Sequence, residues 1–187
     1  MAVDPTGDET VLWRGRELLL RPIRPADDTR HGAFFEQLAP EDLRLRFFSN
    51  RSEIPDAEIE RMVHPDATTE VAFIVLAQRA DGTPEGPPEE LATARAVAGA
   101  DNLEADVGIA VRSDLKGQGL GQILLAKLID SVKRRGTQRI VCEVLRENEP
   151  MRALASRLGF RIEKQTAEQD SLRYVLELQP AKVLSTG

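Results

Sequence analysis

The sequence VGIAVRSDLKGQGLGQILLAKL, residues 107–128, contains the clearest structural signal in this chain. An apolar run ends at Val111, a charged turn follows, and glycines then stand at positions 117, 119 and 121. From Leu120 onward the spacing i, i+3, i+4, i+7 and i+8 is apolar except at Lys127, which is typical of an amphipathic helix. The segment therefore predicts a strand, a tight loop and a helix in succession.

The three glycines predict an anion-binding loop. Glycines placed just before a helix allow several backbone N–H groups to point toward one position, and the helix dipole adds partial positive charge there. Such an arrangement binds phosphate or pyrophosphate. It is not a nucleotide P-loop, because Gly121 is followed by Gln122 and Ile123 instead of Lys and Ser or Thr. The spacing Gly-x-Gly-x-Gly also differs from the dinucleotide fingerprint.

The loop resembles the acyl-CoA pyrophosphate loop of the GCN5-related N-acetyltransferases, the GNAT superfamily. The pattern in that superfamily is Arg or Gln, two residues, Gly, one residue, and Gly or Ala. Lys116, Gly119 and Gly121 fill those places, with Lys where Arg or Gln is usual. Two earlier stretches, LRPIRPADD (20–28) and PEDLRLRFFS (40–49), resemble the opening of the GNAT domain in bacterial protein lysine acetyltransferases. The resemblance covers nearly all of residues 16–178.

The resemblance implies an α/β fold, with a mixed, mostly antiparallel central sheet of six to seven strands flanked by about four helices. A chain of 187 residues is long enough for one domain with a full core. We expect a GNAT domain over residues 13–179, flexible tails over 1–12 and 180–187, and a mobile connection over 81–90. The run VAFIVLAQ (71–78) is almost continuously apolar, which predicts a central strand covered on both faces.

Composition excludes several classes of protein. The single cysteine, Cys142, excludes an internal disulfide and fits the reducing cytoplasm, and its apolar flanks predict a buried strand residue. No signal-peptide pattern and no apolar run near the roughly 18 residues of a membrane span is present, so we expect a cytoplasmic protein. A net charge of −6 and 4% aromatic residues argue against a nucleic-acid partner. His31 and His64 are interpreted as an exposed helix residue and a turn residue.

The resemblance implies acetyl-CoA as co-substrate and no metal. The pyrophosphate would meet the amides of the glycine loop, and the pantetheine arm would pair with the end of the preceding strand, where that strand splays from 139–145. The residues expected to contact acetyl-CoA are Ile109, Ala110, Val111, Lys116, Gly117, Gln118, Gly119, Leu120, Gly121, Gln122, Asn148 and Met151. For Asn148, a helix-capping role alone is the alternative.

An attacking amine is protonated at neutral pH, so the transfer reaction needs a positioned carboxylate to accept a proton. In the resembling enzymes the proposed base is a glutamate, and Asp106 stands at that place in this chain. Aspartate is shorter by about 1.5 Å, which favours proton transfer through a water molecule. Glu104, Glu70 and Glu143 are the alternative bases.

Many GNAT enzymes use a tyrosine to protonate the departing thiolate. In the corresponding segment, NEPMRALASRLGF (148–160), Ala155 occupies the tyrosine position. The protein lysine acetyltransferase branch also lacks this tyrosine. A thiol with an ordinary pKa near 8 to 9 can leave without much help from an acid.

The sequence thus supports an N-acetyltransferase that moves the acetyl group of acetyl-CoA to a protein lysine, with an acyl-CoA synthetase as one candidate acceptor. Transfer to a small-molecule amine and a non-catalytic acyl-CoA-sensing module are the alternatives. Arg44 and Arg46, expected as a basic docking surface on an early helix, favour a protein partner that presents acidic residues. The acceptor, the acyl chain length and the oligomeric state stay open at this point.

Overall fold

The computed structural model describes residues 7–77, 88–163 and 170–178. Within these ranges the chain forms eight strands and five α-helices. The strands are β1 (Glu9–Trp13), β2 (Arg16–Pro22), β3 (Glu70–Ala77), β4 (Glu89–Ala98), β5 (Glu104–Val111), β6 (Arg139–Leu145), β7 (Arg161–Ile162) and β8 (Ser171–Glu177). The helices are α1 (Asp28–Glu36), α2 (Pro40–Phe47), α3 (Asp56–Val63), α4 (Leu120–Arg134) and α5 (Glu149–Arg157). None of the described helices is long and apolar enough to cross a membrane.

All eight strands belong to one sheet with the order β1-β2-β3-β4-β5-β6-β8-β7. Every neighbouring pair is antiparallel except β5 and β6, which run parallel. This confirms the predicted mixed, mostly antiparallel sheet, although the sheet has one or two more strands than expected and there is one more helix.

The prediction of a flexible tail over residues 1–12 was wrong for residues 9–12, which form β1 with Trp13. Arg14 and Gly15 connect β1 to β2 with φ angles of 51° and 79°, the left-handed conformation that suits a two-residue hairpin turn. The indole of Trp13 is buried and donates a hydrogen bond of 2.9 Å to the carbonyl of Gln118 in the glycine loop. The N-terminal hairpin therefore braces that loop. Residues 1–6 and 179–187, and most of the predicted connection, lie outside the described ranges.

β3 lies inside the sheet and is covered on both faces, as its apolar run predicted. Phe73, Val75 and Ala77 pack into the cluster that contains α4. The alternating residues Ala72, Ile74 and Leu76 pack on the opposite face with Ile23 and Val63. Burial of both faces explains why this strand shows no polar alternation.

The two faces of the sheet carry different helices. On one face α4 buries Leu120, Leu124, Leu125, Leu128 and Val132. Lys127, the one polar residue in the apolar spacing of α4, also faces inward and forms an ion pair with Glu9 of β1 at 2.5 Å. On the other face a second cluster joins α1, α2 and α3 to Ala110 of β5. Helix α2 therefore lies over the strand that leads into the glycine loop.

A buried group of charged side chains fixes the start of α1. Asp27 accepts two hydrogen bonds of 2.7 Å from the guanidinium of Arg21, one of 2.8 Å from the backbone N–H of Arg24, and another from Arg30. His31, which we expected to be exposed, is buried and contacts Glu90 at 2.9 Å. The expectation was wrong because this partner comes from β4, and local helix periodicity contains no information about it.

We expect Asp27→Ala to lower the free energy of unfolding by about 3 to 5 kcal/mol, because it leaves the buried Arg21 cation without its partner. Urea denaturation measures the loss. Asp28→Ala is the matched control, since Asp28 is exposed and its side chain accepts hydrogen bonds from the neighbouring Thr29. Equal stability of the two variants would contradict the prediction.

The stabilisation by Asp27 should depend on pH. Burial by itself raises the pKa of Asp27. This effect is outweighed by the hydrogen bonds from Arg21 and the Arg24 N–H and by the charge of Arg30, so the pKa lies below its ordinary value. A carboxyl with a lower pKa in the folded state stabilises the fold at neutral pH. The contribution should be lost as pH falls below about 4, in the parent but not in Asp27→Ala.

Candidate active site

The two parallel strands at the centre of the sheet separate after three residues. Glu104, Ala105 and Asp106 of β5 lie opposite 139–141 of β6, and beyond this point β5 has β4 as its only described partner strand. β6 continues to Leu145 in its pairing with β8. A cavity of about 570 Å³ lies beside the gap, lined by residues 107–111 of β5 and 142–144 of β6. The predicted splay between these strands is confirmed.

The structure brings the predicted site residues together around this cavity. Its lining includes Asp106, Ile109, Ala110, Val111, Lys116, Gly117, Gly119, Leu120, Gly121, Gln122, Asn148 and Met151. Gln118 is not in this lining; its side-chain amide donates to the carbonyl of Asp114 at 3.0 Å. Gln118 therefore stabilises the loop from its outer side.

The glycine loop presents a set of free donors. Gly117 and Gly119 have φ angles of 70° and 89°, which favour glycine. Within the described part of the chain, no hydrogen-bond acceptor is found for the backbone N–H groups of residues 117–121. Adjacent N–H groups at the start of the 15-residue helix α4 suit a pyrophosphate, so the residues present fit the predicted anion.

Lys116, at the edge of the loop, forms an ion pair with Asp42 of α2. Asp42 also accepts a hydrogen bond of 2.5 Å from the hydroxyl of Ser113. Burial lowers the pKa of Lys116, and the nearby Glu41 opposes this shift. An anion bound at the loop would therefore compete with Asp42 for the ammonium group. Sequence reasoning missed Asp42, which looks like an ordinary acidic residue in the first turn of a helix.

Helix α5 closes one side of the cavity. Asn148 caps this helix by accepting a hydrogen bond of 3.2 Å from the backbone N–H of Met151, and it also lines the cavity. Ala155 is fully buried at the position where many GNAT enzymes have tyrosine. The only tyrosine in the sequence, Tyr174, is buried in β8 and pairs with Cys142. No tyrosine hydroxyl is therefore available as a general acid here.

The four carboxylates that could accept the amine proton have different surroundings. Asp106 is exposed to the cleft, but the surrounding protein displaces enough water to raise the pKa of its carboxyl. The charge of Arg46 opposes this rise, and the charge of Glu143 adds to it. Burial would also raise the pKa of Glu104, but ion pairs with Arg173 at 2.6 Å and Arg139 at 2.7 Å outweigh it and lower that pKa.

The other two carboxylates are engaged in hydrogen bonds. Glu70 pairs with Arg95 at 2.5 Å and is not among the residues that line the cavity. Glu143 lines the cavity but accepts a hydrogen bond of 3.0 Å from Ser171. Asp106 thus lines the cavity and has a raised pKa, and it stays the predicted base.

Of the two arginines predicted as a docking surface, Arg44 stays at the surface, with its side chain 29% exposed. Arg44 pairs with Glu41 at 2.8 Å and with Glu147, so its charge is already compensated. Arg46 turns into the cavity, where its guanidinium lies directly on the backbone of Gly108 in β5. The interpretation as a surface charge was wrong for Arg46, because the glycine at position 108 leaves the space that its guanidinium occupies.

Cys142 lines the cavity but is not a nucleophile. Its thiol is buried, and burial together with Asp106 and Glu143 raises its pKa to about 12, so it stays protonated at neutral pH. In the three described ranges, no group of three His, Cys, Asp or Glu residues is arranged to hold a metal ion.

Comparisons with known proteins agree with this geometry. Residues 71–160 match the model of the acetyltransferase (GNAT) family. The chain is 27% identical over 146 residues to an acetyltransferase of Pseudomonas aeruginosa, covering 78% of this chain and 76% of that protein. It is 32% identical over 146 residues to the acetyltransferase Pat of Mycolicibacterium smegmatis, but spans only 41% of that protein. The solved GNAT domain of S. lividans PAT has a TM-score of 0.78 and 27% identity, covering 91% of this chain and 97% of that one.

Proposed function

Since the chain carries an N-acetyltransferase domain of the GNAT family, we propose that it transfers the acetyl group of acetyl-CoA to the side-chain amine of a protein lysine. The observation that carries this proposal is the cleft itself. Around one cavity lie the carboxylate Asp106, the N–H groups of residues 117–121, and the edge of β5 beyond its pairing with β6. Neither these N–H groups nor this edge has a partner among the described residues.

The donor would be held by three parts of the cavity. Bound acetyl-CoA supplies an activated acetyl group as a thioester. The N–H groups of the glycine loop and Lys116 suit its pyrophosphate. The edge of β5 beyond Asp106 can hydrogen-bond the amides of the pantetheine arm as an added strand would. Asn148 and Met151 line the same cavity from α5.

Asp106 would accept the proton of the incoming amine, directly or through water. The amine nitrogen forms a bond to the acyl carbon, the carbon–sulfur bond breaks, and CoA leaves as a thiolate. The proton passes to Asp106, whose pKa is raised and whose basicity is correspondingly greater. Because the thiolate is a moderately good leaving group, the lack of a tyrosine acid does not prevent turnover.

An open groove supports a protein acceptor. A second cavity of about 440 Å³ shares Phe48 with the first and is also lined by Asn50, Leu145 and Ser171. Phe48, at the end of α2, is 47% exposed and offers an apolar ring to a lysine side chain. A peptide in this groove can direct a lysine toward Asp106. The partner is a protein with an accessible lysine, and an acyl-CoA synthetase is the candidate to test first.

The test is to incubate the protein with labelled acetyl-CoA, a panel of acyl-CoA synthetases and a panel of small amines, and then to map the label. We expect label on lysine side chains of a protein acceptor. Transfer to small amines alone would overturn the lysine assignment. Tight acetyl-CoA binding without transfer to any acceptor would instead support the sensing module.

A further inference from the structure

The guanidinium of Arg46 is a cation in the catalytic cleft without an anionic partner in contact. A Cβ atom built on Gly108 would lie 2.3 Å from both Cζ and Nη2 of Arg46, so the guanidinium rests on the strand backbone. Among the residues that the structure describes, no carboxylate forms an ion pair or hydrogen bond with it. Arg46 is only partly exposed, and its guanidinium lies 5.0 Å from the centre of the Phe47 ring. The surrounding protein displaces water from the guanidinium and lowers its pKa.

Neither of the carboxylates whose charge acts on Arg46 forms an ion pair with it. Glu58 pairs with Arg51 at 2.8 Å instead. Asp106 acts on Arg46 through its charge, but the two do not make an ion pair. A poorly solvated, unpaired cation is costly for the protein. An anion that arrives with a ligand would remove this cost.

We propose that the cavity accepts acyl-CoA thioesters whose short acyl group ends in a carboxylate, such as malonyl or succinyl, and that Arg46 pairs with that carboxylate. This inference rests on the proposed use of acyl-CoA as donor. Arg46 lies on Gly108, two residues beyond Asp106 on the strand along which the donor arm would pair. A malonyl or succinyl group carries its carboxylate within a few bonds of the acyl carbon, so the two charges can meet.

The transfer step is the same for these donors as for acetyl-CoA. The amine nitrogen bonds to the acyl carbon, the carbon–sulfur bond breaks, Asp106 takes the proton, and CoA leaves. The terminal carboxylate is unchanged and remains on the modified amine. Arg46 is therefore a specificity-determining residue that selects the acyl group, and the product would be an acidic lysine derivative.

The test compares the binding of succinyl-CoA and acetyl-CoA by calorimetry, which needs no acceptor. We expect the parent protein to bind succinyl-CoA on the order of 10- to 100-fold more tightly, as for a charge-assisted hydrogen bond in a poorly solvated site. Arg46→Met should abolish the preference, because it should weaken succinyl-CoA binding far more than acetyl-CoA binding. Arg61→Met removes an exposed arginine from α3 and should keep the preference.

A second variant moves the charge without removing it. Gly108→Ala should fold, because the three atoms nearest to the added Cβ all belong to the flexible end of Arg46. The substitution should displace the guanidinium and reduce the preference. Equal affinity of the parent for both thioesters, or a preference that survives Arg46→Met, would overturn the inference. Failure of the parent to bind acetyl-CoA at all would instead refute the proposed function.

Discussion

Asp106→Asn should transfer acetyl groups on the order of 10² to 10⁴ times more slowly than the parent at neutral pH, with little change in CoA affinity. Asparagine keeps the size and hydrogen-bonding capacity of the side chain but cannot accept the amine proton. Single-turnover measurements at saturating acceptor, together with CoA titrations, separate the loss of the base from a loss of binding.

The pH dependence of the same variant provides a second readout. In the parent, activity should fall as pH drops through the raised pKa of Asp106, because the base becomes protonated. In Asp106→Asn, raising the pH should recover part of the lost rate, since more of the amine is already free. Glu104→Gln is the matched control and should keep most of the activity, because Arg173 and Arg139 lower the pKa of Glu104. Full turnover by Asp106→Asn would assign the role of base to another group.

Gly119→Val should reduce CoA affinity by at least about 100-fold in a protein that still folds. Gly119 precedes α4 with a φ angle of 89°, a conformation that a β-branched residue strongly disfavours. The substitution therefore turns the N–H groups of the loop away from the position where they meet the phosphate. Calorimetry measures the affinity, and circular dichroism checks the fold.

Gly121→Ala is the matched control for this loop. A Cβ at position 121 would lie 3.4 Å from Leu154 and 3.5 Å from Ile109 and Val111, which are ordinary contacts. Gly121 also lacks a positive φ angle, so alanine fits its backbone. We expect near-parental CoA affinity for this variant. Unchanged affinity of Gly119→Val would refute the placement of the pyrophosphate at the loop.

The features that could be predicted from the sequence were those that local chemistry determines. The glycine spacing before Leu120 and the continuous apolar run of β3 depend only on neighbouring residues and on burial of both faces. The same holds for the cap of α5 by Asn148. The residues expected to contact the donor, Gln118 excepted, lie together around one cavity, and their contact with the donor stays a prediction.

Features that depend on distant partners were not predicted. β1 was missed because its hairpin turn places an arginine, not the usual asparagine or glycine, at a positive φ angle. His31 is buried only because β4 supplies Glu90. Arg46 enters the cleft because position 108 of a separate strand has no side chain. A periodic pattern within one segment contains none of this information.

The short pairing of β5 with β6 also affects the mechanical coupling within the sheet. Three register pairs join the five strands on one side to the three on the other. An extended ligand along β5 would supply backbone-like hydrogen bonds beyond the last β5–β6 register pair. Donor binding would therefore also stiffen the connection between the two parts of the sheet. Amide hydrogen exchange at residues 108–111 would then slow on donor binding, and this protection would report occupancy without any acceptor.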